Sequence, residues 1–136
     1  MRITLGQLND SIQILNRIKD ERIKSARLSY QLGKLYRSAQ AEFKEFVDVH
    51  MALLREYGTP HDGNESQWDI PEEKLAEFNK KWTELLSVEV EVWGTPFKVD
   101  EIEGQLELTP AEFAILEWLI IGDEPAEAPH LRAVSA

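Results

Sequence analysis

The chain of 136 residues contains no cysteine. Disulfides, a thiolate nucleophile and Cys-ligated zinc or iron–sulfur centres are therefore excluded, and a reducing compartment fits such a composition. Histidine is scarce: only His50, His61 and His130 occur. No two of them stand at the i, i+4 spacing that sets paired imidazoles on one helix face, so no metal site is expected. Long apolar runs are missing too. The opening stretch MRITLGQLNDSIQIL lacks a basic segment followed by an apolar one and a small-residue cleavage site, so neither a secretion signal nor a membrane span is expected. The serines occur in no G-x-S-x-G elbow and the 7 glycines form no phosphate-cradling loop. No cofactor and no catalytic residue is expected.

Basic residues are also in short supply, 15 against 25 acidic, for a net charge of −10. The shortage is uneven. Residues 1–57 hold ten basic and seven acidic side chains, net +3, while residues 58–136 hold five and eighteen, net −13. The basic end is sharpest between Arg17 and Arg37, where Arg17, Lys19, Arg22, Lys24, Arg27, Lys34 and Arg37 face only Asp20 and Glu21. Such a cluster suits phosphate or the acidic half of a second copy, or is a solvated helix face with local pairs. Direct nucleic-acid binding is not expected, because the whole chain repels a polyanion and no binding motif accompanies the cluster. The acidic half, with Glu72, Glu73, Glu101 and Glu103 exposed on it, suits either solubility or imitation of a nucleic-acid backbone.

The apolar residues show two periods. Thr4 and Gln7 make a capping box, after which Leu5, Leu8, Ile12 and Leu15 recur at helical spacing. Leu28, Leu32, Leu35, Ala39, Phe43, Phe46, His50, Leu53 and Tyr57 then step by threes and fours, predicting one long amphipathic helix from Ser25 to Tyr57 with Gly58 as its stop and Gly33 as its weak point. At 1.5 Å per residue it spans about 50 Å, against a radius of gyration of about 14 Å for a compact domain of this size. It is expected to project, bend or pack on a partner. Residues 58–68 read as a polar loop, including His61–Glu65, whose ligand order does not match a calcium loop. Asp69 with Glu72 reads as a second capping box, opening a helix with Leu75, Phe78, Trp82, Leu85 and Leu86 on one face.

At Val88 the period changes to two. Val88, Val90 and Val92 alternate with Glu89, Glu91 and Trp93, predicting a half-buried strand, with Phe97 and Val99 returning antiparallel and Leu106 and Leu108 supplying a third run. Glu89 and Glu91 share one face, at a separation that suits a general acid and base pair, but strand alternation explains them without it. Thr109 and Glu112 form a third capping box, with Pro110 at the first helical position and Phe113, Leu116, Trp118, Leu119 and Ile120 as the buried side of a last helix ending at Gly122. Residues 123–136 are rich in Ala, Pro and Glu and are expected to be disordered. Tyr30, Tyr36, Trp68 and Trp93 do not all fall on the apolar stripes; Tyr and Trp near a charged rim are the residues of interaction hot spots.

The order of segments adds a resemblance. Residues 28–35 (LSYQLGKL), 41–46 (AEFKEF) and 54–58 (LREYG), followed by 77–80 (EFNK), 85–90 (LLSVEV) and 108–113 (LTPAEF), resemble in type and order a family of small tailed-bacteriophage proteins of unknown function. The similarity covers residues 3–121. It implies phage origin and no known enzyme activity.

These readings converge on a mostly helical α+β domain over residues 1–122, with a long helical hairpin, short helices and a small β-hairpin or sheet, followed by the tail 123–136. The expected function is non-enzymatic protein–protein interaction, self-association or assembly, through the long helix as in a coiled coil. Leu28, Leu32, Leu35, Tyr36, Phe43, Phe46 and Trp93 are the candidate contact residues. The partner is a second copy or another phage or host protein, in the host cytoplasm or the virion. The alternative is an acidic inhibitor occupying the groove of a host nucleic-acid-processing protein. An enzyme is the third class, without a catalytic constellation to support it. Apolar helix pairing survives high salt, whereas a mimic's binding weakens steeply.

Overall fold

The computed structural model describes residues 1–121; the readings at Gly122, of the tail 123–136 and of His130 lie outside the described residues. The chain begins as a strand, β1 (Arg2–Thr4), and turns directly into α1 (Leu5–Ile18). Thr4 makes that turn a cap. Its hydroxyl accepts from the Gln7 backbone N–H at 3.1 Å while the Gln7 side-chain oxygen Oε1 accepts from the Thr4 N–H at 2.9 Å, satisfying two of the donors a helix N-terminus leaves orphaned. Leu5, Leu8, Ile12 and Leu15 are buried as their spacing predicts, joined by Ile14 and Ile18.

The long helix exists and is unbroken. α2 runs from Ala26 to Tyr57, with the Ser25 hydroxyl accepting from the Leu28 N–H at its start and Gly58 closing it. Gly33 does not interrupt it. Its length is accommodated by two separate supports. α1 folds back through residues 19–25 to cover the first half, where Leu28, Leu32, Leu35 and Ala39 are buried. α3 (Glu72–Leu86) covers the second half, where the Phe46 ring meets Trp82 at 5.7 Å and Tyr57 meets Phe78 edge-on at 6.1 Å. The stripe singled out as a partner face is thus occupied within one molecule. Burying one such side chain stabilises by about 1.5–3 kcal/mol, which leaves little apolar area on α2 for another chain.

Between α2 and α3 the polar stretch is a hairpin rather than a loop: β2 (Thr59–His61) pairs antiparallel with β3 (Asn64–Asp69). Asp62 and Gly63 both have positive φ, 50° and 77°, the two-residue turn whose backbone twist matches that of the strands. Gly58 is required by proximity, since a Cβ there would lie 2.6 Å from the Asp69 carbonyl oxygen. Asp69 consequently belongs to β3, and α3 starts without the expected capping box, its N-terminal position taken by Pro71 with no side-chain cap.

The two-residue period is real but its partner differs. β4 (Glu89–Glu91) pairs antiparallel with β1, in the register Arg2 with Glu91 and Thr4 with Glu89. β5 (Phe97–Lys98) pairs in parallel with β6 (Ile120–Ile121), and Val99 opens the short α4 (Val99–Ile102) instead of a return strand. Leu106 and Leu108 lie in a connection, not a third strand. α5 (Pro110–Ile115) carries the Thr109–Glu112 capping box as expected but stops early, because the chain turns so that Leu116 and Leu119 enter the core and Ile120 reaches β5. Phe113 is left exposed, contrary to its expected burial. The Trp118 indole N–H donates to the Ser11 hydroxyl at 2.9 Å, which itself donates to the Gln7 carbonyl at 2.7 Å, so the most deeply buried polar side chain on α1 is satisfied. Mostly helical α+β is the architecture observed.

Candidate interaction surface

Of the seven contact residues proposed from sequence, four are unavailable. Leu28, Leu32, Leu35 and Phe46 are buried, and Tyr36 and Phe43 pack half-buried against the same core. Helical periodicity identifies a face to be covered without identifying the coverer, and here α1 and α3 are the coverers. Trp93 alone stands out, 38% exposed.

Trp93 follows the β4 ladder and is held by its backbone, whose N–H donates to the Ser38 hydroxyl on α2 at 2.9 Å. Its ring is thereby carried to α2, where the Lys34 ammonium lies 5.0 Å from its centroid and 5.8 Å from that of Tyr30. Tyr30 is 64% exposed. A cation shared by two aromatic faces orders both rings at the surface, each contact contributing about 0.5–1 kcal/mol when exposed. One turn earlier, Arg27 and Gln31 line a groove of about 380 Å³ whose other wall is Trp93 to Phe97 and Glu101. Arg27 and Glu101 occupy the same groove, yet neither has an ion-pair partner among the described residues. The signal for this surface was in the sequence as Arg27, Tyr30, Gln31 and Lys34 at helical spacing beside the apolar stripe. Its completion by Trp93, 59 positions from Lys34, was not.

The acidic candidates do not gather into one face on a single element. Glu72 and Glu73 are exposed on the first turn of α3, next in sequence to Lys74, where carboxylates complement the helix dipole. Glu101 and Glu103 are exposed at α4, in a stretch with Asp100 and Glu107 that contains no basic residue after Lys98. Glu101 also accepts from the Lys98 N–H at 2.8 Å. The strand carboxylates Glu89 and Glu91 flank Arg2 at 3.6 and 4.0 Å, a cross-strand pairing that accounts for both. Glu112 is held below the ordinary carboxylate range chiefly by the Thr109 backbone N–H, which outweighs an upward push from burial, with Arg17, 2.8 Å away, adding to the depression.

His50 lies between rings, 4.4 Å from Trp82 and 6.1 Å from Phe46. Burial pushes its imidazole below 6.5. The unfolded chain therefore binds a proton before the folded one does, so stability is complete above the unfolded value of about 6.5 and is lost progressively as pH falls from there through the lower folded value. Thermal unfolding followed between about pH 7.5 and 5.5 is expected to show this loss, and His50→Gln to flatten that part of the profile. His61 Nδ1 is 2.9 Å from Asp69 Oδ2 across the hairpin, next to Asp62. Among the described residues no cluster of His, Asp and Glu is arranged to hold a metal ion, and no helix is long and apolar enough to cross a membrane. Compared with protein-family models, curated proteins and solved structures, the chain matches none.

Proposed function

We propose that the protein is a non-enzymatic self-associating component, dimerising through the groove between α2 and the Trp93–Glu101 segment. The observation that carries this reading is the pair of opposite charges, Arg27 and Glu101, without ion-pair partners among the described residues, in one groove beside the exposed Tyr30 and Trp93 rings. A surface with adjacent positive and negative halves is self-complementary under a two-fold axis. Arg27 of one copy meets Glu101 of the other, the reciprocal contact forms at the same time, and the aromatic rings lie at the centre. Aromatic anchors surrounded by charge are the composition of such contacts. The buried leucines of α2 do not take part, so association is salt-sensitive, unlike the apolar coiled-coil pairing expected from periodicity alone. A tailed-phage setting belongs to the same proposal and rests on the order of sequence segments.

Sedimentation velocity over a range of concentrations tests it. Arg27→Glu and Glu101→Arg are each expected to weaken dimerisation by about tenfold or more, since each sets like charges opposite one another. An equimolar mixture of the two variants is expected to associate again, because both cross-contacts in the mixed dimer become Glu–Arg pairs. A monomer at every concentration, or a dimer indifferent to both reversals, overturns the reading.

A further inference from the structure

A second surface, apart from that groove, lies at the elbow where α1 ends and α2 begins. The elbow is tied down from outside: the Lys24 and Ser25 N–H groups both donate to the Gln105 side-chain oxygen, at 3.0 and 3.2 Å. Inside it is a cleft of about 230 Å³. Leu15, Ile18 and Leu32, all buried side chains, form its floor, and half-buried Ile23 closes one end. Gly33 is at the mouth, where an added Cβ would meet only Arg37 Nη1, at 3.7 Å. The helix tolerates a residue that costs about 1 kcal/mol relative to alanine, and the cleft stays open there.

The polar rim is cationic. Arg37 has no ion-pair partner among the described residues. The Lys19 ammonium stands 5.7 Å from the Tyr36 ring and shares Asp20 at 3.1 Å. The carboxylate in the wall, Glu21, is taken up by Arg17 at 3.2 Å. Tyr36 donates its hydroxyl proton to Asn16 at 2.8 Å, so its oxygen is left as an acceptor, and the Ser29 hydroxyl is on the same rim. An apolar floor under two cations is complementary to a molecule with an apolar body and one anionic end. We propose that this cleft is a binding site for a small amphiphilic carboxylate, its chain on Leu15, Ile18 and Leu32 and its carboxylate at Arg37 and Lys19. At about 30 Å³ for each water-sized group, the volume holds roughly eight non-hydrogen groups, the size of hexanoate. Arg37 supplies the fork of donors that matches a carboxylate.

Titration of the intact protein with hexanoate, followed by amide proton–nitrogen correlation spectra, tests the site. Saturable millimolar binding is expected, as befits so small a ligand, with shifts concentrated in residues 15–37. Arg37→Gln and Lys19→Gln should each weaken it by about fivefold, the upper scale of one solvent-exposed ion pair. Lys44→Gln, which removes an exposed charge farther along α2, should leave it unchanged. Gly33→Leu should block the mouth; if that variant fails to fold, Arg37→Gln still decides the question. Hexanol, with the same chain and no charge, should bind much more weakly. Absence of saturation, shifts scattered over the whole surface, equal binding of hexanol, or equal losses in Lys44→Gln and Arg37→Gln each overturn the proposal.

Discussion

Leu35→Ala is expected to lower the free energy of unfolding by about 2–5 kcal/mol. Leu35 is 1% exposed, in the middle of the α2 face that α1 covers, and belongs to the same apolar cluster as Leu8, Ile12 and Leu116. Its removal leaves a cavity that helices anchored at both ends of the contact fill only in part. Because total stability in small proteins is about 5–15 kcal/mol, the variant loses a large fraction of it. Urea unfolding at two protein concentrations measures the effect and identifies its origin. Loss of the same size at both concentrations means that Leu35 belongs to the monomer core. A midpoint that moves with concentration in the wild type, and ceases to do so in the variant, would return this leucine to an intermolecular contact.

Phe46→Ala is expected to cost about 3–5 kcal/mol, by a different route. Phe46 stands where α1 stops covering α2 and α3 takes over, its ring within 5.7 Å of both Phe43 and Trp82. It links the two supports of the long helix. A double-mutant cycle with Trp82→Ala is expected to return a coupling of about 0.5–1.5 kcal/mol, the range for aromatic pairs beyond their area burial. Hydrogen exchange should show amide protection falling first in α3 and in the last turns of α2, while the α1 amides stay protected. Uniform loss over the whole chain would mean that the far end of α2 does not open on its own.

The helical segments were legible because their signals are local. Thr4 with Gln7 and Thr109 with Glu112 cap helices as their spacing indicates, and the span predicted from Ser25 to Tyr57 matches α2 to within a residue. The hairpin at Asp62–Gly63 was legible in principle, since that dipeptide selects a two-residue turn, but its flanks are polar and short, so composition read as loop. Asp69 illustrates competition for one side chain. It precedes Glu72 at capping-box spacing, yet β3 claims its backbone and His61 its carboxylate.

Strand partners were not legible. Val90 pairs with Ile3 and Phe97 with Ile120, and a period of two indicates that one face is to be buried without indicating which distant segment supplies the neighbouring backbone. The same limit applied to function. The leucine stripe of α2 implied a coverer, and whether that coverer was another molecule or α1 and α3 depended on the path of the chain.

The sequence by itself determined α1, α2 and α3, the caps at Thr4 and Thr109, the apolar faces of the first two helices and the separation of charge between the two halves, because each depends on residues within a turn or two of one another or on composition alone. The tertiary structure alone decided that the long helix is satisfied from within, that Trp93 is brought to Lys34 and Tyr30, and that Arg27 and Glu101 share one groove. Those juxtapositions join residues tens of positions apart, and only the packing of apolar faces against one another chooses which distant side chains become neighbours.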